Sequence, residues 1–323
     1  MSSYAPGAIT AFQRLPPEPH VMTVGNFDGV HRGHQYLIAR VMDDARRRVN
    51  RSLIVTFEPH PTSVLRPNLP FQRLTVPERK LALLRATGVD DVVVIPFDDA
   101  FAALEPHEFL TLVTESARPA AVFVGEGFRF GRGRSGDGET IATFGNEHSF
   151  TTTIIERLRD DGAMISSSSV RDALHTGDIE RANGYLGRRY RLGGVVEHGA
   201  ARGRELGFPT ANLLLPPSCC VPCDGIYAAY AHVSSSGFGP QEAMVYIGTR
   251  PTFEGGDRIV EVNLLDFSGD LYTRYLDIEF VAFVRGDARF DSAAALAEQM
   301  HLDDRNTRVI LAATHAELTT QST

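Results

Sequence analysis

Five short β-branched runs punctuate the first half of this chain: Val21–Val24, Leu53–Phe57, Val92–Ile95, Ala121–Val124 and Thr152–Ile155. Segments of helical character lie between them. Residues 33–49 place Leu37, Ile38, Val41, Met42 and Ala45 at helical spacing, which gives one apolar face. Thr75 is positioned to cap a further helix that opens at Pro77 and stops at Gly88. Strand–helix–strand alternation needs crossover connections, so it implies a parallel sheet covered by helices. Ligands of such sheets bind at the carboxyl ends of the strands. Near Gly184–Arg189 the alternation stops. Apolar segments of strand length then recur at Arg191–Glu197, Gly225–Val233, Gln241–Ile247, Ile259–Phe267 and Leu276–Val284, with no helical pattern until Ser292–Gln299. Strands joined by Gly, Pro and Ser-rich turns, without crossover helices, imply a small antiparallel barrel closed by C-terminal helices. A length of 323 residues is enough for two such cores at roughly 150 residues each.

Charge narrows the partners. The formal net charge is −8, which disfavours a surface built to neutralise a nucleic-acid backbone. Of the 32 Lys and Arg residues, Lys80 is the single lysine. It stands in Pro77-Glu78-Arg79-Lys80-Leu81, behind no glycine-rich run, so a P-loop is excluded. No apolar stretch approaches the ~20 residues that span a bilayer, and Met1–Pro6 lacks the basic start and apolar run of a secretory signal. Cys219, Cys220 and Cys223 crowd into one segment. An odd, local trio is a poor disulfide framework and fits a reducing cytoplasm. The CxxC of Cys220 and Cys223 has no second ligand pair, and His232 offers no partner, so these read as surface-loop cysteines rather than a zinc site.

The densest local signal is Val24-Gly25-Asn26-Phe27-Asp28-Gly29-Val30-His31-Arg32-Gly33-His34. It follows a predicted strand and opens a predicted helix, which aims backbone N–H groups and a helix dipole at whatever binds there, favouring phosphate. Gly25, Gly29 and Gly33 allow tight turns and close approach. His31 and His34 can both donate toward one phosphoryl group, stabilising charge that grows during transfer without a covalent intermediate. The run resembles the HxGH signature of the nucleotidylyltransferase superfamily. Ile165-Ser166-Ser167-Ser168-Ser169-Val170-Arg171, a serine cluster at a helix start followed by arginine, makes a second anion cradle. It resembles that superfamily's ISSTxxR element, which implies triphosphate contacts from Ser166, Ser167, Ser168 and Arg171. Thr56-Phe57-Glu58-Pro59-His60-Pro61 and Val124-Gly125-Glu126-Gly127-Phe128-Arg129-Phe130-Gly131 extend the likeness to the FMN adenylyltransferase module of bacterial bifunctional FAD synthetases, over about residues 20–184. The resemblance implies nucleotide contacts from Gly25, Phe27, Asp28, Gly29 and Gly33, and flavin contacts from Glu58, His60, Pro61, Glu126 and Phe128. Gly127 departs from the Asp or Asn usual in that family, with Glu126 beside it as the replacement.

The second half offers His198-Gly199-Ala200-Ala201-Arg202-Gly203-Arg204 and then Pro209-Thr210-Ala211-Asn212. Glycine N–H groups and guanidinium forks wrap phosphates. Period-two spacing puts Thr210 and Asn212 on one face, and neutral oxygens with nucleotide phosphates suit Mg²⁺. Read without context, Thr and Asn beside a proline mean a turn. The segment is similar to the PTAN motif of riboflavin kinases, and Asp224–Tyr227, Gly248–Phe253 and Val260–Phe267 fit the same family, over roughly residues 187–310. The resemblance implies ATP contacts from Gly199, Arg202, Gly203, Arg204, Thr210 and Asn212, Mg²⁺ held by Thr210 and Asn212, and Glu261 as the base for the ribityl hydroxyl.

The expectation is therefore an α/β chain. A Rossmann-like nucleotidylyltransferase domain with a parallel sheet spans 1–186, and an antiparallel six-stranded β-barrel riboflavin kinase domain with C-terminal helices spans 187–323. Its partners are small molecules (ATP, riboflavin, FMN and the product FAD), with no nucleic acid and no membrane, and weak self-association is allowed. A riboflavin kinase whose adenylyl site is weakened, or a flavin-binding regulator without activity, are the alternatives.

Overall fold

The computed structural model describes residues 6–197, 208–216, 218–234, 239–249 and 258–320. It divides into two compact units, 1–167 and 168–323.

The first unit runs α1 (Pro6–Phe12), β1 (His20–Val24), α2 (Arg32–Arg48), β2 (Arg51–Glu58), α3 (Pro61–Leu65), α4 (Pro77–Arg85), β3 (Asp91–Pro96), α5 (Asp99–Ala102), α6 (Pro106–Ala117), β4 (Pro119–Gly125), α7 (Gly138–Glu147) and β5 (Thr151–Ile155), followed by a two-residue hairpin, β6 (Arg159–Asp160) and β7 (Ala163–Met164). The five main strands form a parallel sheet in the order β3-β2-β1-β4-β5. Every residue of β1 is buried, as expected for a central strand covered on both faces. Alternation along the strands divides the core in two. Met22, Val24, Leu53 and Val55 pack with Phe101, Phe109, Leu110, Ile141 and Phe144. Val21, Ile54, Ala121 and Phe123 pack on the other face with Leu37, Ile38, Val41 and Ala45 of α2. The chain leaves β1 for β2 and β3 on one side, then returns to place β4 on the other. The carboxyl ends of β1 and β4 therefore flank a topological switch point, where a crevice opens.

Thr75 does not cap α4. Val76 occupies the N-cap without a side-chain bond, and Pro77 follows. With Pro77 opening the helix the N-cap falls one residue later, on Val76, and the Thr75 hydroxyl is engaged elsewhere.

The second unit opens with α8 (Ser167–His175), whose first residue is the last of the first unit, and α9 (Ile179–Leu186). Six strands follow: β8 (Arg191–Glu197), β9 (Ala211–Leu214), β10 (Gly225–Val233), β11 (Gln241–Thr249), β12 (Arg258–Leu264) and β13 (Tyr275–Gly286). They close a barrel in the order β10-β11-β12-β9-β8-β13, antiparallel throughout. The C-terminal helical element is one helix, Ala293–Thr320, rather than the shorter Ser292–Gln299 of the sequence pattern. Its Leu311 packs with Ala228, Tyr230 and Val281, and its Met300 with Phe208, Ile226, Met244 and Leu265. The pairing of β13 with β10 shifts register twice, so that Val281 and Val284 have no opposite residue on β10. Bulges of this kind increase local twist and help a small sheet close. α9 is stitched to the barrel through Asn183, whose amide donates to the Phe280 carbonyl (3.0 Å) and accepts from the Tyr190 N–H (2.7 Å).

The cysteines differ from the expectation of a surface loop. Cys220 is fully buried, with its sulfur 3.7 Å from His175 Nε2, and Cys223 Sγ lies 3.3 Å from the Tyr227 hydroxyl. Thiols pack as small hydrophobes. Among the described residues no group of three or more His, Cys, Asp or Glu is arranged to hold a metal ion. No described helix is long and apolar enough to cross a membrane.

Two candidate active sites

The first site is built on the turn between β1 and α2, at the switch point. Phe27, Gly29 and Val30 all have positive φ, at 51°, 82° and 41°. The backbone thereby reverses sharply enough for His31 to cap α2. His31 Nδ1 accepts the His34 N–H (3.3 Å), which leaves Nε2 as the position for a proton directed at a ligand. The two imidazoles stack at 3.6 Å between centroids, and the Phe27 ring meets His34 edge-on at 5.1 Å. Gly33 leaves the room that this packing needs. A Cβ would sit 3.2 Å from the His31 ring and 3.3 Å from the Ile165 carbonyl.

Phe27 is buried, so its contribution to a ligand is limited to its backbone. Asp28 is also buried, and its carboxylate accepts the backbone N–H groups of Leu74 (2.9 and 3.1 Å) and Thr75 (3.2 Å). The Gly29 N–H donates to the Thr75 hydroxyl (3.2 Å), which is the role that displaces Thr75 from capping. Ser167 Oγ donates to the Asp28 carbonyl (2.9 Å), so the serine cluster is tied to the histidine turn within the first unit. Ser168 and Arg171 lie further along α8, in the second unit.

The residues expected to meet the flavin are divided. Glu58, at the end of β2, is engaged by Lys80 (2.6 Å) and Arg73 (3.3 Å). His60 caps α3, accepting the Thr62 N–H at 3.2 Å, and stacks on Phe71 at 4.1 Å, with Pro61 at the first helical position. Glu126 is exposed, and Phe128 is half-buried and stacked on Phe130. Gly127 has φ +76°, and a Cβ there would run into the Arg157 guanidinium. That guanidinium also donates to the Glu126 carbonyl (3.1 Å). In place of an acidic or amide side chain, this chain brings a cation to the loop. Sequence reading had no signal for it, because Arg157 lies thirty positions away on the segment after β5.

The second site is a row across neighbouring barrel strands. Asn212 pairs with Glu261 and with Glu197, and Glu261 pairs with Tyr246. Directly opposed residues of antiparallel strands share a face, with Cβ atoms about 4.5–5.5 Å apart. Asn212 and Glu261, 49 positions apart by subtraction, are therefore adjacent. The Pro209 carbonyl accepts the Asn263 amide N–H (2.7 Å), which pins the segment carrying Thr210 to β12. Tyr246 has its phenol pKa raised by burial, and further by Asp287, Asp224 and Glu261, so it stays neutral. Its ring lies over Gly248, where a Cβ would collide with it. Glu197 and Tyr246 had not been singled out from sequence; the only signal available was strand register. Gly199, Arg202, Gly203 and Arg204 lie outside the described residues.

Family models match both halves: one described as FAD synthetase over residues 14–169, and one described as riboflavin kinase over residues 186–311. A bifunctional riboflavin kinase/FMN adenylyltransferase from Escherichia coli K12 is 37% identical over 296 residues, covering 91% of this chain and 94% of that protein. The chain belongs to this bifunctional family. Proteins of the same description from Pseudomonas fluorescens and Bacillus subtilis are each 35% identical, covering 94% and 88% of this chain and 97% and 90% of theirs. A solved structure from Streptococcus pneumoniae, described as a macrolide-efflux protein, superposes with a TM-score of 0.83 at 29% identity, covering 92% of this chain and 96% of that one. The likeness thus runs through both units, in the order of the two sites.

Proposed function

We infer that the chain phosphorylates riboflavin to FMN and adenylylates FMN to FAD, each with ATP. The adenylyl step is assigned to residues 1–186 and the kinase step to 187–323. The observation that carries this reading is that each matched family span contains its own phosphate-directed arrangement: the His31–His34 turn in one and the Asn212–Glu261 pair in the other.

In the first site a phosphate oxygen of FMN attacks the α-phosphorus of ATP. The new P–O–P bond forms as the bond to the β-phosphate oxygen breaks, and pyrophosphate leaves. His31 and His34 donate to the α-phosphoryl oxygens as charge grows there, the N-terminus of α2 adds its dipole, and Ser166 and Ser167 hold the leaving phosphates. Glu126, Phe128, His60 and Pro61 border the flavin.

In the second site Glu261 accepts the proton of the ribityl 5′-hydroxyl as that oxygen attacks the γ-phosphorus and ADP departs. Thr210 and Asn212 offer neutral oxygens, with Glu261 and Glu197 opposite Asn212 on the neighbouring strands. This all-oxygen donor set fits Mg²⁺, which Thr210 and Asn212 would hold. When bound, the ion would supply charge neutralisation to the nucleotide phosphates. The Gly199–Arg204 segment is assigned to the nucleotide phosphates.

The test is one chromatographic assay with Mg-ATP, started separately from riboflavin and from FMN. FMN and FAD are expected from the first and FAD from the second. Protein that forms neither product overturns the assignment, and FMN without FAD confines it to the kinase.

A further inference from the structure

The single lysine of the chain has no part in the chemistry just described, yet it is among the most buried charges of the first unit. The Lys80 side chain is 4% exposed. Its ammonium lies 2.6 Å from Glu58 Oε1 and donates to the Phe57 carbonyl at 2.9 Å. The second Glu58 oxygen accepts from Arg73 Nη2 at 3.3 Å. Burial lowers the Lys80 pKa, while Glu58, and more weakly Asp28, favour its charged form. A buried ammonium is tolerated only with partners such as these, and removing one partner is far more disruptive than removing a surface pair.

We propose that Lys80 is a positioning residue for adenylyl transfer, acting through Glu58 and residues 73–75 on the Asp28–His31 turn. The proposal rests on assigning the first unit to FMN adenylylation. The turn holds two non-glycine residues at positive φ, Phe27 and the β-branched Val30. Such conformations are unfavourable for non-glycine residues and persist only where surrounding structure imposes them. Ser167 and Gln35 bond the Asp28 and Val30 carbonyls, but the Asp28 side chain is held by one segment: Leu74 and Thr75 supply the N–H groups that grip it, and Thr75 receives the Gly29 N–H. That segment is itself fastened on both sides to one carboxylate, by Arg73 before it and by Lys80 in the first turn of α4 after it. Glu58 closes β2, which pairs directly with β1. The rigid sheet thus sets the height of residues 73–75, these set Asp28, and Asp28 sets His31. The Glu58 carboxylate serves as the anchor of this chain of contacts rather than as an open ligand for flavin.

The test compares wild type, Lys80→Met and Glu58→Gln in the full-length chain, with riboflavin phosphorylation as the internal control. Wild type must first convert FMN to FAD; if it does not, the functional assignment fails and not the positioning role. In Lys80→Met, kcat for adenylylation is expected to fall by ~10–100-fold, the scale of a misplacement near 1 Å. KM for FMN and for ATP should change less than about 3-fold, a split that lost stability alone does not produce. Glu58→Gln keeps the shape and should lower the same kcat by about 3–10-fold, the fraction of restraint lost with one charge. Because only one lysine exists, protein labelled with ¹⁵N at the lysine Nζ gives one side-chain ammonium signal. It should be observable near neutral pH in wild type and shifted or lost in Glu58→Gln. Should Lys80→Met not fold, the Glu58→Gln kinetics and the ammonium signal decide. Full adenylylation kcat in either folded variant, or an ammonium signal in wild type that exchanges as a solvated lysine does, overturns the proposal. So does a parallel fall in both activities.

Discussion

The two candidate sites are built in opposite ways. In the first unit the decisive atoms sit on a loop. His31 is placed by a turn with three positive-φ residues, and that turn is held by contacts arriving from residues 74, 75 and 167. In the barrel the decisive atoms sit on strands. Asn212 and Glu261 are neighbours because β9 and β12 pair in one register, and ladder hydrogen bonds on either side hold them there. A strand-built site is fixed by its own backbone, and its sensitivity is local. A loop-built site has its precision supplied from elsewhere, so residues that touch no substrate govern it.

The largest effect should come from the strand site. Glu261→Gln removes the proposed proton acceptor and is expected to lower riboflavin phosphorylation by ~10²–10⁴-fold, with FAD formation from supplied FMN unchanged. Parallel loss of both activities would show that the two sites are not separate. Next is Asp28→Asn, which replaces one acceptor oxygen with a donor facing the Leu74 and Thr75 N–H groups. A buried polar mismatch of this kind costs about 1–3 kcal/mol. Adenylylation should drop by one to two orders of magnitude, with kinase turnover intact, as steady-state assays of both reactions would show. An unaffected adenylyl rate would mean that the turn holds itself.

Gly33→Ala is a smaller probe of the same turn. Its Cβ meets the His31 ring and the Ile165 carbonyl at 3.2 and 3.3 Å, so His31 must give by a few tenths of an ångström. A several-fold fall in adenylyl kcat is expected, well below the ~10²-fold of a full ångström. The smallest effect concerns the barrel alone. Burial favours the neutral form of Glu279, but hydrogen bonds and charge from Arg189 and Arg191 outweigh it and hold the pKa below 4.5. A carboxylate with a depressed folded pKa contributes stability that is present above the unfolded value and lost as pH falls through the folded one. The melting temperature of the barrel should therefore decline as pH falls below about 4.5, and Glu279→Gln should flatten that decline in calorimetry at pH 5 and pH 3. An identical slope in the variant would assign the acid sensitivity to other carboxylates.

Much of the architecture was legible in one dimension. Periodicity alone located the five parallel strands and α2 to within two residues, because a strand buried on both faces and an amphipathic helix each leave a repeating pattern. β8 and β10 were read without error, and β12 ran three residues long since Leu265 and Phe267 continue the apolar pattern past Leu264. Capping was less legible: Thr75 looks like an N-cap, and only the fold reveals that Asp28 and Gly29 compete for it.

What the sequence by itself determined about this protein is the order of its parts: a parallel-sheet unit, then an antiparallel one, each with a phosphate-directed motif. These depend on residues close together in the chain, where spacing and propensity act. What only the tertiary structure decided is which distant residues share a site. The pairing of Asn212 with Glu261, the meeting of Gly127 with Arg157, and the burial of the one lysine against Glu58 all join segments separated by 22 to 49 positions. No local pattern encodes such meetings, because they are set by strand order, register and the packing of α4 against the sheet.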